Sequence, residues 1–366
     1  MKTEDPQLFA LDLTKNTCGE PWLFAAEMLQ RVSRTFALNI QVLPRNRLRR
    51  PVLLAYLFCR MADTIEDCPS LSAAEKERLL DLFSAIFSED ASEWVKRAHE
   101  FKQALPPSWD LSNDDEEFLC AHCDWTLALF FEFSLKVQRP VIQCIQEMCA
   151  GMGHFALRQE QSQGQWLTIE NEADLDQYCY YVAGVVGNLL CDLFYQQSIW
   201  ISKARYQHMK EYAVSFGLAL QVVNITKDVL EDSERQVCFV PMEWIRREGF
   251  LQPHALFAPD APLQNRSNVM KHMVRKAWAH LQDSMDFTLL IPVFEPRIRL
   301  FCLWPMMMAA ETLVAVGDGQ KLFDPKTKVK ISRSAVKRIL QKTTVQCWNR
   351  IWLQSRLSKL RLSSPA

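Results

Sequence analysis

Apolar residues recur three and four positions apart along most of this chain, in long runs separated by short polar stretches. That period predicts helices and few strands. A first helix is expected from about Pro21, since proline suits a first helical turn, to Arg34. A second covers Pro51–Cys68 and is ended by Pro69. A third covers Leu71–Phe87, with Ser70 or Ser72 as N-cap and Glu75 completing a capping box. Helical patterns continue at 114–136, 140–160, 172–195, 201–232, 266–288, 294–316 and 333–360. Between them Pro106-Pro107-Ser108 is a plain loop, 161–170 a polar connection, and the segment through Pro241 and Pro253 a longer loop. Residues 1–20 read as a loose lead-in and 342–366 as a basic terminal helix and tail. No Pro/Gly/Ser linker divides the interval 21–341, which is expected to be one all-α domain.

Composition narrows the function. Of 366 residues, 49% are hydrophobic and 23% charged, enough to bury a large core. A formal net charge of −1 gives no support to nucleic-acid binding through overall charge. The opening residues Met1 to Pro6 lack the apolar centre of a secretory signal, so the 12 cysteines are expected to be reduced thiols of a cytoplasmic protein. Cys120-Ala121-His122-Cys123 has no second ligand pair at zinc spacing and reads as ordinary helix. The most apolar run, Phe301–Ala310, is flanked by Arg299 and Glu311 and contains Pro305; a core helix is expected there, not a membrane span. Near the end, Trp348, Ile351 and Trp352 lie among five basic residues and no acid. A peripheral membrane contact and a solvated helix both fit. The later leucines do not continue the aromatic face, which favours the solvated helix.

The chemistry is concentrated in two copies of one acidic pattern. Asp63-Thr64-Ile65-Glu66-Asp67 and Asp228-Val229-Leu230-Glu231-Asp232 each lie in an otherwise apolar helical run. Helical spacing places the three acids of each on one side. The first stripe continues through Tyr56 and Arg60, the second through Gln221 and Asn224. Like charges gathered in apolar surroundings require cations. Hard oxygen ligands, few in number, suit Mg2+ that keeps waters and bridges to a phosphate or diphosphate. A stripe on a mostly apolar helix is expected to face an internal cavity, and diphosphate beside an apolar cavity indicates a substrate with a charged head and a greasy tail. Neither a Walker loop nor a G-x-G-x-x-G fingerprint is present, and no Glu-x-x-His pair accompanies the acids as a di-iron bundle would need.

With these blocks in view, the chain resembles the squalene/phytoene synthase family of head-to-head prenyl transferases. The resemblance is carried by Ser33-Arg34-Thr35-Phe36, Tyr56–Asp67, Tyr178–Gly187 and Gln221–Asp232, and more weakly by Phe301–Pro305 followed by Val329-Lys330-Ile331. It implies an isoprenoid-synthase helical bundle with a central active-site cavity. It also implies that two farnesyl diphosphates condense to presqualene diphosphate, with release of diphosphate, and that NADPH reduces the product to squalene. Asp63, Glu66, Asp67, Asp228, Glu231 and Asp232 would hold Mg2+. Arg34, Arg60 and Gln221 would contact diphosphate oxygens. Tyr181 and Tyr56 would handle the carbocation and its proton, and Asn224, Lys227, Lys330 and Arg333 would serve the NADPH site. Gly184 and Gly187 are expected to permit close helix approach or make room for a prenyl tail.

Two departures from the family pattern concern the reduction. Lys227 stands where an arginine is often found, and Ser332 interrupts the basic residues after Ile331. Two other readings therefore stay open: a branch that forms phytoene or dehydrosqualene without reduction, and a non-catalytic member serving assembly or lipid binding. Six retained carboxylates weigh against the last.

Overall fold

The computed structural model describes residues 20–88, 92–109, 114–161 and 166–364. Nearly all of the expected lead-in lies outside them. The described chain is all-α apart from a pair of two-residue strands, and it forms two compact units that divide between Gly153 and His154.

The first unit contains helices α1 (Glu20–Val32), α2 (Arg34–Val42), α3 (Arg50–Asp67), α4 (Ala73–Ile86), α5 (Trp94–Ala104), α6 (Asp114–Ala121) and α7 (Cys123–Phe131), and the start of α8 (Leu135–Gln161). Pro51 occupies the first turn of α3, where its missing N–H costs nothing, and the helix stops as Cys68 turns extended before Pro69. Ser72 then opens α4 with the expected capping box: its hydroxyl accepts from the Glu75 N–H, and the Glu75 carboxylate accepts from the Ser72 N–H. α3 packs against α1, α4, α6 and α7. Phe58, fully buried on α3, makes edge-on contacts with Phe87 at 4.9 Å and Phe130 at 5.4 Å, and Phe83 joins Phe87 to Phe101. Each such ring stabilises the unit by roughly 2–3 kcal/mol through its burial. This cluster fixes one side of α3 and leaves the Tyr56–Arg60–Asp63 side outside the ring packing.

The second unit holds the rest of α8, then α9 (Glu172–Cys179), α10 (Val185–Gln197), α11 (Lys203–Lys227), α12 (Val229–Glu234), α13 (Met242–Arg247), α14 (Pro253–Phe257), α15 (Leu263–Leu290), α16 (Pro296–Val316), α17 (Arg333–Gln346) and α18 (Arg350–Leu362). α11 packs against α10, α15 and α16. α16 is long and apolar enough to cross a membrane, but 72% of its most apolar window is buried inside the protein, as a core helix requires.

Four periodic runs are less regular than expected, the run 114–136 dividing at His122 and again before Leu135. Tyr180–Gly184, inside the expected helix 172–195, forms a π-helical turn between α9 and α10. The run 201–232 is interrupted at Asp228, which ends α11 and begins α12. Asp228 N–H still donates to Asn224 O and Asp232 N–H to Asp228 O, both at 2.9 Å, so the interruption bends the run without dissolving it. The run 333–360 divides at Cys347–Asn349, where the Asn349 side chain accepts from Trp352 N–H and starts α18.

The polar connection at 161–170 also contains a strand. Leu167–Thr168 pairs in parallel with Val237–Cys238, a pairing too short to leave a period in the sequence. Arg158 secures it by donating to both oxygens of Asp174, at 2.7 and 2.6 Å, and to Thr168 O at 2.7 Å. Burial alone would raise the Asp174 carboxyl, yet the Arg158 fork and the Glu170 N–H hold it below the usual range. A lowered folded pKa contributes stability above the unfolded value near 4, lost as pH falls through the folded value. Arg158→Ala is accordingly expected to cost about 2 kcal/mol in urea unfolding at neutral pH. The difference from the parent should shrink toward pH 3; a cost independent of pH would show that the pair is not responsible.

Candidate functional site

The acidic stripe of α3 is built around Arg60. Its guanidinium donates to Tyr56 Oη at 3.4 Å and lies 3.8 Å from Asp63 Oδ2 and 3.9 Å from Glu116 Oε1 on α6. Burial would lower the Arg60 pKa, but Asp63, Tyr56 and Glu116 together raise it, so the side chain is a fixed cation. Tyr56 is held on its other side by Phe36, with ring centroids 5.0 Å apart. Phe36 is positioned in turn by Ser33, whose hydroxyl caps α2 by accepting from the Phe36 N–H. Arg34, the first residue of α2, is exposed.

Asp63 has the least ordinary electrostatics. Its side chain is 32% exposed, yet burial pushes its carboxyl up to about 6 against the opposing pull of Arg60, while Asp67 and Glu116 raise it further. The side chain is partly open to water while protein closes in around it. Glu66 is half-buried and Asp67, the last residue of α3, is exposed. Tyr56, Arg60 and Asp63 are thus half-buried along α3, while the final turn of the stripe ends at an exposed Asp67.

The second acidic segment is held by cations of its own. Lys227 pairs with Asp228, Arg235 with Asp232 at 2.7 Å, and Lys328 with Glu231 at 2.6 Å. Asp232 is buried, whereas Glu231, its neighbour on α12, is 54% exposed, so these two acids sit in different surroundings. The Lys328 hydrogen bond is the main reason the Glu231 carboxyl falls below its usual range, with Lys227 and Lys330 adding to it. The exposed segment carrying Lys328 and Lys330 therefore lies beside α12. Arg333, exposed in the first turn of α17, follows the Ser332 cap. Gln221 is half-buried and Asn224 exposed on α11.

Tyr181 lies half-buried on the π-helical turn, with its ring 5.5 Å from that of Tyr180. The turn and the start of α10 are seated on α11 by glycines. A methyl group at Gly187 would fall 1.9 Å from Ala213 O, and one at Gly217 would fall 2.1 Å from Ala183 O. Close approach at Gly187 is as expected; Gly217 is its unforeseen counterpart on the facing helix. Glu116 and Lys328 are further residues missed in the sequence, since only long-range packing brings them to the acids. The acidic run Asp114–Glu117 was the one signal for Glu116.

Elsewhere, Cys120 and Cys123 are buried free thiols raised in pKa by that burial, Cys123 to about 12. The intervening His122 has Nδ1 at 2.9 Å from Phe118 O.

Among the described residues no three His, Cys, Asp or Glu side chains form a ready metal-binding group. The donor set nevertheless fits Mg2+, which takes one or two carboxylates and completes its shell with waters and phosphate oxygens. The acids offer only hard oxygens, and Arg60, Lys227, Arg235 and Lys328 now supply positive charge beside them.

The family model described as squalene/phytoene synthase matches residues 29–335. Squalene synthase 1 of Arabidopsis thaliana is 28% identical over 330 residues, covering 88% of this chain and 71% of the plant protein. Squalene synthase of Bos taurus is 27% identical, covering 88% and 73%. The solved structure of TcSQS with the ligand E5700 superposes with a TM-score of 0.78 at 26% identity, over 94% of this chain and 91% of that one. A dehydrosqualene synthase structure shares the fold at 21% identity and a TM-score of 0.60. With an all-α isoprenoid-synthase fold and a family match over most of its length, this chain belongs to the squalene/phytoene synthase family and is a transferase.

Proposed function

We propose that the protein is a squalene synthase, joining two farnesyl diphosphates to presqualene diphosphate and reducing that product with NADPH to squalene. The observation that carries this reading is the pair of acidic segments, each set among fixed cations, in a chain whose curated relatives are squalene synthases.

Ionising an allylic diphosphate requires its leaving group to be neutralised and held. Asp63, Glu66, Asp67, Asp228, Glu231 and Asp232 would hold Mg2+ ions, which when bound neutralise charge developing on the diphosphate. Arg60 adds a guanidinium already oriented by Tyr56, Asp63 and Glu116, so little order is lost on gripping phosphate oxygens. Arg34 and Gln221 are assigned the same task. Tyr56 and Tyr181 present aromatic faces to a carbocation and hydroxyls able to pass on its proton.

For the reductive half, Asn224, Lys227, Lys330 and Arg333 would hold NADPH, whose bound nicotinamide supplies the hydride. The donor set fits a phosphate-bearing ligand, because Lys227, Lys328 and Lys330 gather around Glu231. Those lysines also neutralise the acidic segment, which favours as second reading an enzyme that stops before reduction.

Incubation with Mg2+ and farnesyl diphosphate is expected to give presqualene diphosphate, and squalene once NADPH is added. Unreduced product under both conditions would establish the second reading, and a C40 product from geranylgeranyl diphosphate alone would overturn the first.

A further inference from the structure

At one end of the second unit, side chains that a globular surface usually hides are presented to water. Ile199 is 86% exposed, Trp200 51%, Phe294 68%, Trp348 54% and Ile351 82%, with Val293 beside them in sequence. These residues come from three chain turns, α10 to α11, α15 to α16 and α17 to α18, which buried hydrogen bonds tie together. Ser198 Oγ donates to Glu295 Oε1 at 2.7 Å, and the Trp200 and Phe294 rings lie 5.0 Å apart. Buried Arg299 donates to Ile291 O at 2.7 Å, Cys347 O at 2.8 Å and Leu289 O at 3.2 Å, joining the second turn to the third. Arg205 donates to Leu290 O at 2.7 Å and joins the first to the second. The turns are thus held from beneath while their apolar tips project outward.

The sequence around these tips is predominantly basic, with Asp286 of α15 just outside it and accepting from Gln282 at 3.4 Å. Lys203, Arg205, Arg297 and Arg350 lie within or beside the three turns. The segments 196–205, 287–300 and 342–361 contain a single acid, Glu295, which is buried and bonded to Ser198. Asp192 on α10 is engaged by Tyr206 and Lys210.

We propose that this surface docks the protein onto an anionic lipid bilayer. Tryptophan and phenylalanine tips favour the boundary between headgroups and acyl chains, and basic residues around them are attracted to anionic headgroups. A water-soluble partner would be expected to offer acids to the four cations and also to cover two tryptophans and a phenylalanine. A bilayer provides both requirements without shape complementarity. The proposal does not depend on the reaction assigned above.

The test is co-sedimentation of the full chain with vesicles of phosphatidylcholine alone or mixed with phosphatidylglycerol. The parent should bind the mixed vesicles more tightly, and added salt should release it. Arg297→Glu with Arg350→Glu should weaken binding to mixed vesicles by about tenfold or more. Trp200→Ser with Phe294→Ser should weaken binding to both compositions by about tenfold or more, with an unchanged thermal midpoint because both side chains are exposed. Failure of the parent to bind mixed vesicles, or unchanged binding by both double variants, would overturn the proposal. So would a parent dimer that the Trp200/Phe294 variant converts to monomer, which would assign the surface to a second copy.

Discussion

Asp63→Asn is expected to lower turnover of farnesyl diphosphate by about 10³-fold or more while leaving the fold intact. A metal-held leaving group accounts for several kcal/mol of transition-state stabilisation, and the amide cannot supply a carboxylate ligand. Stability should move the other way. Burial raises the Asp63 carboxyl to about 6, so its ionised form is disfavoured in the folded protein and opposes folding at neutral pH. Asparagine removes that opposition, and the metal-free thermal midpoint should be equal to or above that of the parent. The rise in midpoint that Mg2+ with inorganic diphosphate gives the parent should largely disappear. Asp228→Ala is expected to lose activity similarly, but it frees Lys227 and so separates loss of a ligand from loss of charge balance. Full activity in either variant would remove that residue from the ligand set.

The largest effect on stability is expected from Gly217→Ala. The added methyl would lie 2.1 Å from Ala183 O and 2.6 Å from its carbonyl carbon, positions that only a backbone shift can relieve. A cost of about 3 kcal/mol or more follows, visible as a lower urea midpoint or loss of soluble protein. Because Ala183 belongs to the turn that carries Tyr181, any folded variant should also turn over more slowly. Gly153→Ala is the control, since its methyl would meet nothing closer than 3.6 Å, and it should unfold near the parent midpoint. Equal midpoints for the two variants would show that α11 and the π-helical turn can separate without cost.

Much of this was legible in the sequence because helices leave a period. The extents of α3 and α4, the Ser72–Glu75 capping box and the stripe from Tyr56 to Asp63 follow from spacing and cap chemistry. The bend at Asp228 does not. Apolar spacing continues across it, and the local hydrogen bonds that bridge it leave no composition change. The π-helical turn at Tyr180–Gly184 was hidden for the same reason. Glu116, Lys328 and Gly217 matter through partners distant in sequence, which periodicity cannot specify. The terminal leucines have a packing explanation. Leu353, Leu357 and Leu360 fail to continue the Trp348–Ile351 face because they are the buried side of α18. Their position says nothing against an exposed apolar tip at its start.

These carboxylates are expected to bind diphosphate only together with a divalent ion. Calorimetric titration with inorganic diphosphate, with and without Mg2+, tests it most directly. The account predicts binding by the parent that requires Mg2+ and is weakened at least tenfold in both Asp63→Asn and Asp228→Ala. Equal diphosphate affinity in the absence of Mg2+, unaltered by either substitution, would contradict it.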